Sequence, residues 1–559
     1  MRLTTTMRWT ALAATVVMAA AACSNDGKSG TSGDGNPAPS ATGAAKQGGT
    51  FRLGIVEPTA IDPYNTQESE GTLVTHSLFT GLTSVDAKGK LSNALAESRT
   101  PNDDCSQWTF KIKSGTTFSN GEVVDAEAFI RGWTRASAKE AASDVAYHMA
   151  EIEGFKELQD GTAPTFSGLS ASDPNTLVVK LATKDCEFDL RTFHTVFSPV
   201  PKAAGAGTNK EYNDQPIGNG PFKLDGPWQH NSKITLVRND SYGLKKANLD
   251  RVEISILNSA GASDLEYQGF QSGQFDWARL PTEQLTAAKA ANSPKGQWLE
   301  WDANGINYLL PITFSGPLKT KEARQAVSYA IDRDAIGKGV FKGFRSTATA
   351  FVPPAFPDAY QKDLCASCVK QDKEKAKQLA AQAGLTPGTK LYFGYNTGGG
   401  HDAWVQAVAQ QLKDVLGLDV QTEGIPFKEL LEKEKSPDAS GIFRAAWGAD
   451  YPTPGNFLAP LLGTDAISAD PVTNVASGDN RGRYSNPAFD ALLAKATGTK
   501  DEAARNKIYQ EAEKIAIGDD LALIPLWNRS QQRVANTTKW ANLSYDFNED
   551  PTLDSVSLK

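Results

Sequence analysis

The hydrophobic and polar positions of this chain follow two periods that alternate along its length. Between residues 322 and 336, apolar residues recur with the spacing of an amphipathic helix, whose Arg324 and Asp332 we expect to form structural salt bridges. Residues 108–112 alternate with the period of two that predicts a strand. Further predicted helices span 67–82, 125–133, 374–383, 402–416 and 501–517, and further predicted strands span 48–53, 390–395, 419–423, 442–446 and 522–527. Strands that alternate with helices indicate an α/β fold.

The start of the chain has the pattern of an export signal. Arg2 and Arg8 precede an uncharged run from residue 11 to residue 22, which is too short to span a bilayer and is typical of a signal-peptide core. Small residues directly before Cys23 are similar to the lipobox of bacterial lipoproteins. That resemblance implies that residues 1–22 are removed and that Cys23 is lipidated. The alternative is a conventional signal peptide with Cys23 merely nearby.

Composition separates a linker from a globular body. Residues 24–49 consist mainly of Gly, Ser, Ala, Thr and Pro with scattered charge, and they have too little apolar surface to fold. We therefore predict a flexible linker over residues 23–47. The rest of the chain is longer than one hydrophobic core supports, so two or three domains are expected. The formal net charge of −8 argues against a nucleic-acid partner.

Four cysteines remain if Cys23 carries lipid, and exported proteins usually pair their thiols. The simplest pairing joins Cys365 to Cys368 and Cys105 to Cys186, although the sequence alone allows three connectivities. A zinc site and a redox-active CxxC motif are the alternatives. Neither is favoured, because no second CxxC or HxxxH motif lies near and the thioredoxin-like context is missing from the sequence.

The segment 443–457, FRAAWGADYPTPGNF, contains the candidate ligand site. It places Arg444 and Asp450 six residues apart, with Trp447 between them and a proline-rich turn behind. A partly buried carboxylate needs a cationic partner, because burial of an unpaired charge costs several kcal/mol. A ligand ammonium could supply that partner. The alternative is that Asp450 caps a turn and that Arg444 is an exposed surface residue.

Six segments carry a family resemblance, and they occur in the same order as in that family. They are WTFKIKSGTTFSNGEVVDAEAFIRGW, PIGNGPFKLDGPW, EARQAVSYAIDRDAI, AAWGADYPTPGNFL, RYSNPAFDALLAKA and ALIPLWNRSQQ. Together they resemble the extracellular solute-binding proteins of the peptide and nickel class, which are the receptors of ABC importers. The resemblance runs from residue 48 almost to the end of the chain.

The resemblance implies an α/β periplasmic-binding-protein fold of the large, three-subdomain type, with two lobes, a hinge and a ligand cleft between the lobes. Lobe I is expected to comprise residues 48–80, 216–305 and 526–559. A subdomain of residues 81–215 is expected to be inserted into lobe I, and lobe II is expected to span residues 306–525.

The resemblance also implies how a peptide would bind in the cleft. Asp450 falls on the position that holds the peptide ammonium, Arg444 on a position that can meet the terminal carboxylate, and Trp447 on a pocket wall. Residues 67–69 correspond to an extended stretch that pairs with the peptide backbone. Besides Asp450, Arg444 and Trp447, the residues that the resemblance implies in ligand binding are Gln67, Glu68, Ser69, Ala446, Gly448 and Tyr147.

The expected protein is an exported, lipid-anchored monomer on the outer face of the bacterial cytoplasmic membrane. Its expected partners are a peptide and the transmembrane and ATPase subunits of an ABC permease. No cofactor and no metal are expected. The alternatives are a receptor for a non-peptide solute such as a nickel chelate, and a peptide-processing enzyme. The enzyme is not favoured, since common catalytic motifs are missing from the sequence and the five histidines are expected to be separate surface or structural residues.

Overall fold

The computed structural model describes residues 46–66, 68–207, 209–257, 261–397, 400–476 and 478–559. The predicted signal peptide, the predicted lipidation site Cys23, almost all of the predicted linker and Gln67 lie outside these residues. Among the described residues, no helix has the combination of length and apolar character that a membrane crossing requires.

The described residues contain strands in one large and three small sheets. The strands are β1 Thr50–Val56, β2 Thr83–Val85, β3 Leu91–Asn93, β4 Ala96–Pro101, β5 Gln107–Ile112, β6 Leu169–Asp173, β7 Thr176–Lys180, β8 Phe222–Leu224, β9 Lys233–Arg238, β10 Arg251–Leu257, β11 Trp277–Arg279, β12 Trp298–Pro311, β13 Lys390–Asn396, β14 Asp419–Ile425, β15 Ile442–Gly448, β16 Ile524–Ala535, β17 Trp540–Ala541 and β18 Ser557–Leu558.

Helices surround these sheets. They are α1 Ser69–Leu78, α2 Ala126–Ser137, α3 Phe155–Asp160, α4 Phe188–Arg191, α5 Lys210–Asp214, α6 Ala262–Gln271, α7 Leu285–Asn292, α8 Lys321–Ala330, α9 Arg333–Gly339, α10 Ala366–Val369, α11 Lys373–Gln382, α12 Asp402–Leu416, α13 Phe427–Lys435, α14 Gly455–Leu462, α15 Pro487–Thr497 and α16 Glu502–Glu513.

The large sheet has ten strands in the order β14-β13-β15-β12-β16-β11-β1-β10-β9-β8. Its two longest strands, β12 and β16, run antiparallel through the middle and join its two halves. Their pairing is interrupted between Asp302 and Ile306 and resumes on the far side. The sheet is therefore continuous, and the interruption lies in the two strands that connect its halves.

Among the described residues, three large hydrophobic cores and a small fourth cluster around Tyr267 lie around these sheets. The N-terminal core contains Phe51 and Trp540, and it packs on the half of the large sheet that holds β1. The insert core contains Trp133, and it packs between α2 and the four-stranded sheet β4-β5-β7-β6. The C-terminal core contains Phe351 and Trp527, and it packs on the half that holds β13. The boundaries predicted for the lobes stay a prediction, because the large sheet passes through both halves.

Several predicted elements differ from the structure in extent. The predicted helix 322–336 is two helices, because the side chain of Asp332 accepts a hydrogen bond from the Ala335 N–H at 2.9 Å and caps a new helix, α9. The expected salt bridges of Arg324 and Asp332 are also wrong. The Arg324 guanidinium donates instead to carbonyl oxygens, including that of Leu521 at 3.0 Å.

The two disulfides join Cys105 to Cys186 and Cys365 to Cys368. This is the simplest of the pairings that the sequence allows, so that prediction is confirmed. The first disulfide closes a loop of 81 residues within the inserted segment. It fixes the stretch that leads into α4.

Candidate functional site

The candidate site lies where β15 ends at the centre of the large sheet. Asn456, at the start of α14, contacts Trp447 and Asp450, the predicted site residues on either side of that strand end. Its Oδ1 accepts hydrogen bonds from the Asp450 N–H at 2.9 Å and from the Trp447 Nε1–H at 3.2 Å. Its Nδ2 donates to Asp450 Oδ2 at 3.1 Å. Asn456 is 3% exposed, so a buried amide holds both side chains in place.

Asp450 forms no ion pair within 4.0 Å among the described residues, although the positive charge of Arg191 acts on it from farther away. Burial raises the pKa of Asp450 to about 6, although the hydrogen bond from Asn456 opposes that rise. A carboxylate in this state gains most from a cation that enters the site.

A cavity of about 170 Å³ opens beside Asp450. Of the residues predicted from the sequence, Glu68, Ser69, Gly448 and Asp450 line it. Residues that the sequence analysis did not select also line it: Thr72, His76, Phe193, His194, Thr195, Asn304, Ala449, Arg529, Asn548 and Glu549. We call this space the Asp450 cavity.

Two paired glycines leave room for the positively charged side chain of Arg529 in the Asp450 cavity. Gly448 lies opposite Gly305 in the β12–β15 ladder, and the Arg529 side chain crosses over both. A Cβ at Gly305 would lie 2.7 Å from Arg529 Cδ, and a Cβ at Gly448 would lie 3.0 Å from Arg529 Nη1. The guanidinium is only loosely neutralised, since its Nη2 is 3.7 Å from Glu549 Oε2.

One edge of β15 is open beside the cavity. On one side β15 pairs with β12 along its whole length, from Ile442 to Gly448. On the other side it pairs with β13 only at Ile442 and Phe443. Within the described residues, no strand therefore pairs with the second edge from Arg444 to Gly448, which includes Ala446. Such an edge presents main-chain donors and acceptors that an extended ligand can pair with.

The opposite wall is formed by the start of α1. The Glu68 carboxylate accepts hydrogen bonds from the Thr59 N–H at 2.9 Å and the Gly71 N–H at 3.1 Å, so it acts as a helix cap. Its backbone is extended, with φ −103° and ψ 165°, whereas Ser69 already begins the helix. The extended stretch expected over residues 67–69 thus ends at Glu68, and Gln67 lies outside the described residues.

Arg444 and Trp447 are both partly buried. Arg444 Nη1 donates to Asn396 Oδ1 at 3.0 Å, and within the described part of the chain no carboxylate forms an ion pair with it. Burial lowers the pKa of Arg444. The interpretation of Arg444 as an exposed surface residue is therefore wrong. Trp447 packs against the C-terminal core and holds Asn456, so it has a structural contact whatever else it binds.

Tyr147 lies on the inserted segment near Asp450. Its ring stacks on His148 with the ring centroids 4.2 Å apart. Desolvation, followed by the negative charges of Asp450 and Asp479, raises the pKa of the Tyr147 hydroxyl. The Tyr147 side chain itself is 56% exposed.

Comparison with known proteins decides the family. Residues 90–469, more than half of the chain, match the family of bacterial extracellular solute-binding proteins, family 5 Middle. The chain belongs to this family of extracellular solute-binding proteins.

Named relatives agree with the assignment to the solute-binding proteins. The chain is 29% identical over 496 residues to the oligopeptide-binding protein OppA of Bacillus subtilis, with 86% of this chain and 87% of OppA covered. It is 28% identical over 481 residues to the probable deoxycholate-binding periplasmic protein YgiS of Escherichia coli, with 84% of this chain and 86% of YgiS covered. Both relatives are named for binding and not for catalysis.

The fold of this solute-binding protein also has a solved counterpart. It superposes on the murein tripeptide-binding protein MppA, in the unliganded open form, with a TM-score of 0.76 and 26% identity, and 92% of this chain and 98% of MppA are covered. The fold class predicted from the sequence, a two-lobe α/β periplasmic-binding-protein fold, is therefore confirmed. The Asp450 cavity lies next to the strands that connect the two halves of the large sheet.

Three histidines of the solute-binding protein meet beside the cavity, so the expectation of unrelated positions is wrong for them. The ring centroids of His148 and His194 are 4.2 Å apart, and His76 and His194 both line the Asp450 cavity. Burial lowers the pKa of His194 to about 3 and that of His76 to about 4, so both imidazoles are neutral at physiological pH. Even so, no group of three residues suited to a metal ion occurs among the described residues.

Proposed function

We propose that this solute-binding protein captures peptides between its two lobes and delivers them to an ABC import permease. The observation that carries the proposal is the open edge of β15, which runs from Arg444 to Gly448 and leads to the carboxylate of Asp450, for which no ion pair occurs among the described residues. An extended peptide can bind to both features, because its main chain can hydrogen-bond to the open edge and its ammonium can pair with the Asp450 carboxylate.

Asp450 neutralises the peptide ammonium in this proposal. On closure the ammonium loses its water, and a charge-assisted hydrogen bond to the carboxylate replaces it. Such bonds are about twice as strong as neutral ones. The raised pKa of Asp450 supports this role, because the incoming positive charge relieves the cost of the buried negative charge.

The peptide main chain lies along the open edge at Ala446 and Gly448, and it faces Glu68 and Ser69 across the cleft. Gln67, which lies outside the described residues, is proposed to bind the peptide as well. Pairing through backbone groups does not depend on the ligand side chains. The proposed receptor therefore accepts peptides of many sequences, and its selectivity comes from the walls of the cleft and from the charged groups at its ends.

Arg444 receives the terminal carboxylate of a short peptide. Its partial burial and its lack of an ion pair among the described residues support that role. Trp447 and Tyr147 form walls of side-chain pockets. Trp447 is held by Asn456, and Tyr147 is held by its stacking on His148.

The proposed receptor is a monomer tethered to the outer face of the cytoplasmic membrane by lipid on Cys23, with residues 23–47 as a flexible linker. The transmembrane and ATPase subunits of a permease are its partners. It uses no cofactor and does not alter the peptide. Peptide that is incubated with the protein is therefore expected to be recovered intact.

A receptor for a non-peptide solute is the competing function, and the relative YgiS, which is named for deoxycholate, favours it. Native mass spectrometry of the protein purified without denaturation separates the two. Peptides released on unfolding support the proposal. A single non-peptide species, with no peptide binding in calorimetry after that species is removed, overturns it.

A further inference from the structure

A second cavity lies at the end of helix α1. Its volume is about 580 Å³, which is within the range of roughly 300 to 1,000 Å³ that small-molecule sites occupy. Its walls come from the last turn of α1, from strand β2, from residues between 221 and 245, and from the loop that joins β17 to β18. The inserted segment, the half of the large sheet that holds β1 and the end of the chain therefore meet around one space. We call it the junction cavity.

Two side chains form a shared wall between the junction cavity and the Asp450 cavity. His76 and Phe193 line both spaces. The His76 Nε2–H donates to the Phe193 carbonyl at 3.3 Å, and His76 Nδ1 accepts from Asn548 Nδ2 at 3.2 Å, so the imidazole is held on both sides. Asp450 lines the Asp450 cavity and not the junction cavity. A ligand in the junction cavity therefore meets a different set of charged groups.

Aromatic side chains form much of the lining of the junction cavity. Phe79, Phe193 and Phe222 line it, and they are 2%, 8% and 1% exposed. Tyr242 also lines it, and its hydroxyl lies 2.9 Å from Thr80 Oγ1, which holds the ring in place. Walls of this kind favour an aromatic ligand, because aromatic rings attract one another in offset and edge-to-face contacts.

One carboxylate of the junction cavity is well placed to receive a cation. Asp546 lines the cavity and forms no ion pair among the described residues, and its Oδ1 accepts from the Asp550 N–H at 3.1 Å. Burial raises the pKa of Asp546 to about 7, and the negative charges of Asp554 and Glu549 add to that rise, whereas backbone hydrogen bonds oppose it. A cation beside Asp546 relieves both the desolvation and the repulsion.

The other charged groups of the lining have contacts of their own. The positive charge of Lys245 offsets part of the burial that raises the pKa of Asp554. Lys113 Nζ donates to the Ala94 carbonyl at 2.7 Å. A metal ion is not favoured, since no group of three residues suited to one occurs in the part of the chain that the structure describes. The lining therefore favours an organic cation.

A buried hydroxyl is an independent sign of a polar ligand. Ser198 lines the junction cavity and is 4% exposed, and its hydroxyl forms no hydrogen bond within the described residues. Buried polar side chains in proteins nearly always have a hydrogen-bond partner. A polar group on a ligand in the cavity supplies the partner that the protein itself does not.

We propose that the junction cavity binds an aromatic amine, at a site separate from the peptide cleft. The ammonium pairs with Asp546, and the ring packs among Phe79, Phe193 and Phe222. The inference goes beyond peptide capture and does not depend on it, because it assigns a second class of ligand to a space that Asp450 does not line.

Fluorine NMR titrations with 4-fluorophenethylamine test the site, and 2-(4-fluorophenyl)ethanol is the neutral compound of nearly the same shape. Wild-type protein is expected to bind the amine at least tenfold more tightly than the alcohol. Asp546→Asn, which keeps an acceptor for the Asp550 N–H, is expected to lose this preference. Asp414→Asn, which changes an exposed aspartate on α12, is expected to keep it.

Two further variants locate the bound amine. Asp450→Ala removes the carboxylate of the Asp450 cavity, and it is expected to leave the affinity for the amine within twofold of the wild-type value. Ser84→Trp places an indole at an exposed position in the lining of the junction cavity, and it is expected to weaken binding of the amine at least tenfold. Because Ser84 is exposed, this variant tests the site even if Asp546→Asn fails to fold.

The outcomes decide the inference separately from peptide capture. Equal affinity for the amine and the alcohol, loss of amine binding in D450A, or unchanged amine binding in both D546N and S84W overturns the junction-cavity site. The same holds if the amine does not bind wild-type protein. None of these results overturns peptide capture, which is measured with peptides. Amine binding that persists in a protein that binds no peptide leaves this site standing and overturns the proposed function.

Discussion

Glu187 Oε1 lies 3.0 Å from Arg505 Nε in a buried ion pair that joins the inserted segment to α16. The hydroxyls of Thr453 and Tyr509 also donate to the Glu187 carboxylate. Thr453 follows Asp450 by three residues, so the ion pair lies directly behind the loop that carries the candidate ligand carboxylate. The neighbouring Cys186 N–H donates to the Thr497 carbonyl at 2.8 Å, which extends the same contact.

Replacing Glu187 with Gln is expected to lower stability by about 3 kcal/mol, because it leaves the buried charge of Arg505 without a partner. Peptide affinity is expected to fall as well, since the Asp450 loop loses its support. Thermal unfolding with and without peptide measures both effects. The matched control is Asp160→Asn, which breaks an exposed pair with Lys156 and should change stability by less than about 0.5 kcal/mol. An unchanged melting temperature and dissociation constant for E187Q would contradict this assignment.

Replacing Asp450 with Ala is expected to weaken binding of free-amine peptides by two orders of magnitude or more, because removal of one partner of a desolvated pair typically costs about 3 to 5 kcal/mol. Peptides acetylated at the amino end should bind both proteins about equally weakly. The exposed Asp438 provides a control, and D438N should bind as the wild type does. Calorimetry measures all these affinities. An unchanged affinity of D450A for free-amine peptide would exclude Asp450 as the ammonium site.

The affinity for free-amine peptides should decrease as the pH falls through about 6, the pKa of Asp450 that burial produces. Only the ionised carboxylate attracts the ammonium, so binding should weaken about tenfold for each pH unit well below that value. The D450N variant should show a flat profile over the same range. Calorimetry at a series of pH values checks this, and a wild-type profile as flat as that of D450N would be the contrary result.

The raised pKa of Asp450 also makes the stability of the ligand-free protein depend on pH. Stability should fall as the pH rises, whereas peptide affinity should increase. An acid whose pKa is raised by folding stabilises the protein below its unfolded value of 3.8 and loses that contribution as the pH rises through about 6. The melting temperature of ligand-free D450N, relative to wild type, should therefore increase as the pH rises from about 4 to about 7. A constant difference between the two proteins would argue against a raised pKa at this position.

Replacing Asn456 with Ala should disturb Asp450 and Trp447 together. The variant loses two acceptor contacts at Oδ1 and one donor contact at Nδ2. A buried polar group left without a partner costs about 1 to 3 kcal/mol, so both the melting temperature and the affinity should fall. Asn486→Ala removes a helix cap away from the site and serves as the control, since it should lower stability without changing affinity. If N456A lowers stability alone, Asn456 does not position the ligand carboxylate.

Local signals in the sequence predicted the elements that depend on local contacts. The helix starting after Asp125 was predicted with its cap, and the Asp125 side chain does accept from the Ala128 N–H at 2.9 Å. The long strand β12 was not predicted, and β16 was predicted only over residues 522–527. Their stability comes from pairing with strands far away in the chain, and a short window of sequence does not contain that information.

The residues of the candidate site also fall into two groups: those that sequence motifs identified and those that only the folded chain brings together. Asp450, Gly448 and Glu68 were selected from motifs, and all three line one cavity. Arg529 was not selected, although it stands inside a motif, because its role depends on Gly305 and Gly448 leaving space for its side chain. The histidine cluster was missed because His76, His148 and His194 come from segments separated by many residues. Only the folded chain brings them together.

The continuity of the ten-stranded sheet restricts the way in which this protein can open. Since β12 and β16 stay hydrogen-bonded to each other on both sides of the interruption at Asp302, sliding of one half along the other would break the ladder, whereas rotation about the interruption preserves it. Rotation about this interruption would bring the walls of the cleft back to one alignment each time the halves meet, so a rigid cleft shape would set which ligands fit.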